Sequence, residues 1–167
     1  PGLTPTPTPT PTPGPTYDLT TSANPSEGGT LSPSGTTAYA SGTQVTVTPI
    51  AASGYIFSSW SGDCSGAGTC TVPMNDNAAV TANFIQVFVL TTSASPSEGG
   101  TLSPSGANGY ITGAQVPVTA SANSGYTFSN WSGDCTGSGS CLVTMDVGSQ
   151  FLGRAGLAGA RIPHQHH

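Results

Sequence analysis

The chain has 167 residues, of which only 5% are charged, with seven acidic residues against two basic ones and a formal net charge of -5. Ordinary soluble domains contain about 25% charged residues, so solubility here must come from Ser, Thr and Asn, from attached glycans, or from assembly into larger structures. The composition excludes a nucleic-acid partner, because no cationic patch is available to displace counterions from phosphates. No apolar stretch approaches the roughly 18 residues of a transmembrane helix, so no membrane span is predicted.

Residues 1–16 form a leader rich in threonine and proline, with strict Thr-Pro alternation from Thr4 to Pro13. Proline at every second position removes backbone donors and fixes φ, so we expect extended polyproline II at about 3.1 Å per residue. The leader would act as a stalk, as a bare linker, or as a segment that docks on a neighbouring subunit. On compositional grounds its threonines are O-glycosylation candidates: Thr4, Thr6, Thr8, Thr10, Thr12 and Thr16.

A sequence repeat organises the rest of the chain. The first copy is predicted at residues 17–86, the second at 87–155, and a C-terminal tail at 156–167. The copies align without a gap as far as Met145. Apolar residues alternate in short runs bounded by Gly and Pro, and no helical periodicity intervenes, which predicts an all-β protein. We expect two tandem, small Ig-like β-sandwich repeats, or alternatively β-grasp-like ones, after the polyproline II leader.

Three local signals refine this prediction. Pro25 and the paired glycines that follow it favour a hairpin between the first two strands of a repeat. Pro117 stands where the first repeat has Thr46, so we expect this strand to be an edge or to be bulged. After Met145 the copies diverge, and residues 148–156 show only weak alternation with three glycines. The sequence therefore predicts no well-defined closing strand for the second repeat.

Residues 54–64, repeated as residues 125–135, gather the aromatic side chains, a turn and a cysteine of each repeat. In a chain poor in large apolar residues, each aromatic can bury about 150 to 250 Å². They are the predicted core: Tyr55, Phe57, Trp60, Tyr126, Phe128 and Trp131. In a regular strand the tyrosine and phenylalanine share one face and the tryptophan points to the other, so burial of all three requires a bulge at Ser58-Ser59 and at Ser129-Asn130. The functional alternative is an aromatic platform for a sugar ring.

Four cysteines occur in two identical short spacings, which favours disulfides formed in an oxidising compartment. Three connectivities are formally open, and pairing within each repeat is the simplest: Cys64 with Cys70 and Cys135 with Cys141. Each small ring would contribute roughly 2 kcal/mol in the chain-entropy model. Zinc is the alternative, and it is disfavoured because no histidine lies near and thiolate sites need their cysteines to converge from two knuckles.

The polar residues form no catalytic constellation. The chain has no lysine, its arginines and histidines all follow residue 150, and its acids are scattered: Asp18, Glu27, Asp63, Asp76, Glu98, Asp134 and Asp146. Asp63 and Asp134 precede cysteines in turns, where a carboxylate usually accepts backbone N–H bonds. We therefore predict no enzyme activity, no cofactor and no metal, whether calcium at the loops or a site at His164, His166 and His167. Asn130 begins a formal N-glycosylation sequon.

Gly-Gly-Thr-Leu-Ser-Pro, then Gly-Tyr-Thr-Phe-Ser-Asn-Trp-Ser-Gly-Asp-Cys, then Cys-Leu-Val-Thr-Met stand in the second copy, with close counterparts in the first. With these motifs, residues 17–147 resemble the divergent internalin-B-type repeats of bacterial surface and secreted proteins. The resemblance implies an extracellular, all-β module used in tandem as a spacer, stalk or adhesive element. It brings no catalytic residues with it.

Two functions fit these observations. The preferred hypothesis is a non-enzymatic extracellular structural protein, a subunit that packs head to tail with copies of itself into a surface fibre or stalk, with glycans on its leader. Low charge removes long-range repulsion, and a poorly specified closing strand would leave a groove for a neighbour's extended segment. The alternative is a carbohydrate-binding or adhesive module of a secreted or cell-wall protein, with Tyr39, Tyr110 or the tryptophans as its platform.

Overall fold

The computed structural model describes residues 14–146 and the backbone of residues 153–159. The described residues form β-strands and two single-turn 3₁₀ segments, without an α-helix. They therefore include no helix with the length and apolar character to cross a membrane. The predicted all-β tandem-repeat fold is confirmed. A β-grasp domain packs a helix on its sheet, and the described part of the chain contains no such helix.

The chain forms two compact units, the first ending at Phe84 and the second beginning at Ile85, with residues 54–56 grouped with the second. Seven strands build the first unit: β1 Thr16–Asn24, β2 Gly29–Ser32, β3 Gly35–Ala40, β4 Gln44–Ala51, β5 Tyr55–Gly62, β6 Cys70–Pro73 and the first half of β7 Ala78–Ser95. One sheet has the order β3-β1-β7-β5, with β1 and β7 parallel, and the other has the order β2-β4-β6. Consecutive strands therefore lie in different sheets.

The second unit repeats this arrangement. Its further strands are β8 Gly100–Ser103, β9 Gly106–Ile111, β10 Gln115–Ala122, β11 Tyr126–Ser132, β12 Cys141–Thr144 and β13 Gly153–Gly159. One sheet has the order β9-β7-β13-β11, and the other has the order β12-β10-β8. The second half of β7 thus takes the place that β1 has in the first unit, and β13 takes the place of the first half of β7.

β7 is the strand that successive repeats share. Its residues 78–83 pair in parallel with β1, and its residues 87–92 pair antiparallel with β9. No glycine or proline interrupts it from Ala78 to Ser95, so nothing in the sequence ends the strand between the repeats. The closing strand of one repeat therefore continues directly as the first strand of the next.

Each unit is filled by the residues that strand alternation turns inward. In β4, Val45 and Val47 are buried while their neighbours are exposed. The buried apolar residues of the first unit are Leu19, Leu31, Val45, Val47, Trp60, Cys70, Val72, Met74, Val80, Ala82 and Phe84. Those of the second are Phe88, Leu90, Leu102, Val116, Val118, Trp131, Cys141, Val143 and Met145. Both sheets of a unit contribute to its core, so each unit is a small β-sandwich.

The first turn of each repeat is not the predicted hairpin. Pro25 leads into a 3₁₀ turn, Ser26–Gly28, and β2 pairs with β4 instead of β1. Close packing explains this course, because a Cβ on Gly28 would stand 2.7 Å from the Cβ of Phe84, and one on Gly29 would stand 2.6 Å from the Phe84 Cζ. The paired glycines thus let the backbone approach an aromatic ring as the chain passes to the other sheet.

The second repeat has a closing strand, contrary to the prediction from its sequence. β13 pairs in parallel with residues 92–95 of β7 and antiparallel with β11. Backbone groups make these bonds whatever the side chains are, so a glycine-rich segment flanked by two strands can complete the sheet. The groove expected to receive a neighbour's segment is therefore filled by the same chain. β13 also runs across the predicted boundary at residue 155, and β1 begins within the predicted leader at Thr16.

Candidate functional site

Each repeat holds a tryptophan against its disulfide loop, an arrangement that we name the Trp clasp; in the first repeat it consists of Trp60 and residues 64–70. The backbone N–H of Trp60 donates to the Gly66 carbonyl at 2.7 Å, and its indole Nε1–H donates to the Gly68 carbonyl at 2.8 Å. The equivalent residues of the second repeat make the same two bonds at 2.6 and 2.8 Å. The clasp thus satisfies the polar atom of a buried indole.

A disulfide closes each clasp. The structure joins Cys64 to Cys70 and Cys135 to Cys141, with Cα–Cα distances of 5.6 and 5.5 Å. Within the first ring, Gly66 has a φ of 74°, in the left-handed region that favours glycine. The short ring therefore holds the loop in the conformation that turns its carbonyls toward the tryptophan.

The aromatic residues predicted for the core are buried to different degrees. Trp60 and Trp131 are only 4% and 5% exposed, whereas the tyrosines and phenylalanines of β5 and β11 are half-buried. Phe57 packs against Trp60, and Phe128 against Trp131, with ring centroids 4.8 Å apart in both repeats. In β11 the register shifts between Phe128 and Asn130, which is the bulge expected there. Because the indoles are buried, the tryptophans cannot form the sugar platform considered above.

Asp63 connects the clasp to the closing strand of the first repeat. The Ala79 N–H donates to Asp63 Oδ2 at 2.6 Å, and the Asp63 N–H donates to the Ala79 carbonyl at 2.9 Å. The neighbouring Gly62 has a φ of 91°, and a Cβ there would collide with the Ala79 carbonyl oxygen. The sequence predicts that the Asp63 carboxylate accepts bonds within its own turn, and it does not predict the partner, Ala79 on β7. The signal for it was the Gly-Asp-Cys triplet, which both copies contain.

Asp134 occupies the same position in the second repeat, in different electrostatic surroundings. Partial burial raises the pKa of its carboxyl above the ordinary 3.8, and the negative charge of Asp146 raises it further. Neighbouring acids with a raised pKa also occur in catalytic sites. The cavities described below are lined by other residues, so we read the Asp134–Asp146 pair as a source of pH-dependent stability.

Exchanging each of these two acids for asparagine should change stability in opposite directions at pH 7. Asp63→Asn weakens a charge-assisted bond to Ala79 and should lower the free energy of unfolding by about 0.5 to 1 kcal/mol. The raised pKa of Asp134 means that its stabilising contribution is present below pH 3.8 and is lost as the pH rises through the folded-state value. Asp134→Asn should therefore stabilise slightly at pH 7, reduced by solvent screening, and lose this advantage in acid.

Urea unfolding of both variants at pH 7 and at about pH 3.5 provides the measurement, within the acid range where carboxylates titrate. Each substitution serves as the control for the other, because both replace the acid of a Gly-Asp-Cys turn. Destabilisation of equal size by both substitutions at pH 7 would contradict the electrostatic difference between the repeats.

Two glycosylation candidates fall within the described residues, and Thr4, Thr6, Thr8, Thr10 and Thr12 lie outside them. Thr16 is exposed at the start of β1. Asn130 is exposed on β11, where its Nδ2–H donates to the Trp131 carbonyl at 3.1 Å and its Oδ1 accepts from Ser129 Oγ at 2.8 Å. A glycan on Asn130 would replace one of the two hydrogens on Nδ2, and modification there stays a prediction.

Residues suited to hold a metal are not brought together in the described part of the chain, where no group of three or more His, Cys, Asp or Glu side chains converges. The cysteines are engaged in disulfides, and His164, His166 and His167 lie outside the described residues. Within residues 14–146, no buried side-chain nitrogen or oxygen lacks a hydrogen-bond partner. Among these residues, the interior of each sandwich therefore presents no unsatisfied polar side-chain atom to a ligand.

The surface carries shallow cavities that are lined without charged residues. One, which we name the aromatic cleft, has a volume of about 450 Å³ and is lined by residues 46–49, Phe57, Trp60 and residues 67–69. Two smaller cavities, of about 230 and 260 Å³, lie beside the first turn of each repeat and are bordered by serine and threonine hydroxyls. Neutral, polar or apolar ligands suit such surfaces better than ionic ones.

Comparison with known proteins completes the description of these repeats. Neither the curated proteins nor the solved structures yielded a match. A family model described as the divergent InlB B-repeat domain matches residues 19–87 and matches again at residues 90–150. The two matches follow the two units and together span most of the chain. The chain therefore belongs to the divergent InlB B-repeat domain family, a surface- and adhesion-type repeat module.

Proposed function

We propose that this chain is a non-enzymatic structural module of the extracellular surface that associates head to tail with further copies in a fibre or stalk. Family membership supports a surface protein, and two intrachain disulfides support an oxidising, extracellular compartment. The observation that carries the proposal is β7, which closes one repeat and opens the next without a loop between them.

A shared strand suits a structural protein that is built from many repeats in series. Repeats of this kind can be added in series, because the first strand of each new copy continues the closing strand of the copy before it. Both copies contain the Trp clasp, whose bonds hold a small sandwich together. An enzyme would instead require a positioned acid, base or nucleophile beside a substrate cavity.

The outward face of β7 and β9 in the second unit is a candidate surface for self-association. Val87 lies directly opposite Ile111, and Val89 lies opposite Gly109. Val89 and Ile111 are 54% and 47% exposed, which places two large apolar side chains on the same pair of strands. The chain carries few charges, so long-range repulsion between copies is weak and apolar contact is not opposed.

Light scattering of the full chain at increasing concentration tests the proposal. We expect the mean mass to rise with concentration, and Val89→Lys with Ile111→Lys to shift association to at least about tenfold higher concentration because two charges would be desolvated. Leu142→Lys is the matched control, since Leu142 is also exposed, at 55%, on another strand. A full chain that stays monomeric at every concentration, with no filaments in electron micrographs, would overturn self-assembly.

A carbohydrate-binding or adhesive role is the alternative proposal. It is supported by Tyr39 on β3 and Tyr110 on β9, two half-buried rings at equivalent positions, each on an outer strand of its sheet. Tyrosine offers an apolar face and a hydroxyl to a sugar. Binding on a glycan array that is lost in Tyr39→Ala and Tyr110→Ala would favour this role over assembly.

A further inference from the structure

The aromatic cleft is an open, largely apolar surface of the first unit. It is lined by the half-buried Phe57 and Pro49 and, with little exposed surface, by Trp60. The exposed Thr48 and Thr69 stand on its rim. Phe57 is held in place by Trp60 at 4.8 Å and by Phe84 at 6.0 Å, measured between ring centroids. The cleft is therefore preformed and lined by aromatic, proline and threonine side chains.

A cleft of this chemistry suits an extended, proline-rich segment. Polyproline II segments bind in aromatic-lined grooves, and they lose little conformational entropy because their backbone is already extended. Their carbonyls have no internal hydrogen bonds, so hydroxyls such as those of Thr48 and Thr69 can donate to them. Neither the cleft nor residues 4–13 contain a charged side chain, so docking would desolvate no ion.

We propose that the Thr-Pro leader of one copy, residues 4–13, docks in the aromatic cleft of a second copy. This inference deepens the proposed function and rests on it, because it names one contact through which copies would join. The chain itself supplies both partners, which fits the neutral composition that they share. It also assigns a use to the strict Thr-Pro alternation that a bare linker does not need.

β1 fixes the point at which the leader joins the first unit. β1 begins at Thr16 beside Ala40, where the Ser41 N–H donates to the Pro15 carbonyl at 2.9 Å. β4 starts from the turn that follows Ser41, and residues 46–49 lie inward from that end of the unit. The leader therefore joins the first unit at the end of β1 beside Ser41, and we take a second copy as its acceptor because the proposed function joins copies.

The second repeat offers a matched control. Phe128 and Trp131 repeat the ring geometry of Phe57 and Trp60, at 4.8 Å and 53° in both repeats. Its wall differs, however, because Ala120 stands where the first repeat has Pro49. The rim positions of the two repeats, Thr48 and Thr69 against Thr119 and Ser140, can be changed in the same way without touching the packed rings.

The first experiment measures docking directly. The receptor is the full-length chain carrying Pro5→Ser, Pro7→Ser, Pro9→Ser and Pro11→Ser, which removes the competing polyproline segment, and the probe is a peptide with the sequence of residues 4–13. We expect the peptide to bind in calorimetric titration, and Thr48→Glu with Thr69→Glu to weaken it at least about tenfold. Thr119→Glu with Ser140→Glu should leave the affinity within about twofold. Absence of binding, or equal loss in both pairs, would overturn the assignment of the cleft.

The second experiment asks whether docking joins copies. In light scattering, the full chain with the four serine substitutions, or the chain with Thr48→Glu and Thr69→Glu, should associate at least about tenfold more weakly than the unchanged chain. If the peptide binds but these variants associate normally, the leader docks within its own copy and the inference fails while the proposed self-assembly stands. If the unchanged chain does not associate at any concentration, the proposed function fails as well.

Discussion

Replacing Trp60 with alanine should lower the free energy of unfolding of the first repeat by about 3 to 5 kcal/mol. The indole is 4% exposed, packs against Phe57 and donates its N–H to the Gly68 carbonyl. Alanine would leave a cavity beside the Phe57 ring and would leave the Gly68 carbonyl without its indole donor. A small domain has about 5 to 15 kcal/mol of stability in total, so this single change should leave the first repeat barely folded.

Guanidinium unfolding followed by circular dichroism measures the effect, with the fluorescence of Trp131 reporting on the second repeat. Trp60→Phe is the control for packing, because it keeps an aromatic ring and removes the indole N–H, and it should lose less than Trp60→Ala. Trp131→Ala should produce the corresponding loss in the second repeat. If Trp60→Ala unfolds at the same denaturant concentration as the unchanged chain, the indole does not hold the core as described.

The core of the Trp clasp could be predicted from the sequence because the same residues occur in both repeats. Residues 54–64 and 125–135 share their aromatics, their turn and their cysteine. This recurrence indicates that these residues form one structural unit in each repeat. Because side chains alternate along a strand with period 2, burial of all three aromatics requires a bulge after Phe128, and the register of β11 shifts there. What spacing could not predict was the partner of each polar atom, such as Ala79 for Asp63, because such partners lie on other strands.

The order of the strands was harder to predict from the sequence, because local sequence patterns do not indicate which sheet a strand joins. Pro117 predicts a strand that is an edge or is bulged, and β10 lies between β8 and β12. Its two halves pair on opposite sides, residues 115–118 with β12 and residues 119–122 with β8. Pro117 therefore has a ladder partner on one side only. Its position is that of an edge residue, which tolerates proline, although β10 is the central strand of its sheet.

The closing strand of the second repeat shows that a strand can form where the side-chain pattern does not predict one. Alternation in residues 148–156 is weak, and the sequence predicted no defined strand there. The structure places β13 at Gly153–Gly159 between β7 and β11, and β13 pairs with both of these strands. Tertiary pairing thus overrides weak local propensity, because backbone hydrogen bonds on two sides do not depend on side-chain type.

Removing the first disulfide by Cys64→Ala with Cys70→Ala should lower the free energy of unfolding by about 2 kcal/mol, since a short ring restricts the unfolded chain by that much in the entropy model. Contacts that the disulfide ring makes in the folded state should increase this loss of stability. Cys70 is fully buried, and the ring holds the Gly66 and Gly68 carbonyls that accept the two Trp60 bonds. The effect on stability should therefore be coupled to Trp60.

Guanidinium unfolding of the double variant, alone and combined with Trp60→Phe, measures this coupling. If the ring acts only on the unfolded chain, the two losses should add; if it also positions the Gly68 carbonyl, the combined loss should be smaller than their sum. Cys135→Ala with Cys141→Ala is the matched control and should weaken the second repeat. Reduction of the unchanged chain should reproduce both losses, and stability that reductant leaves unchanged would show that neither ring supports its sandwich.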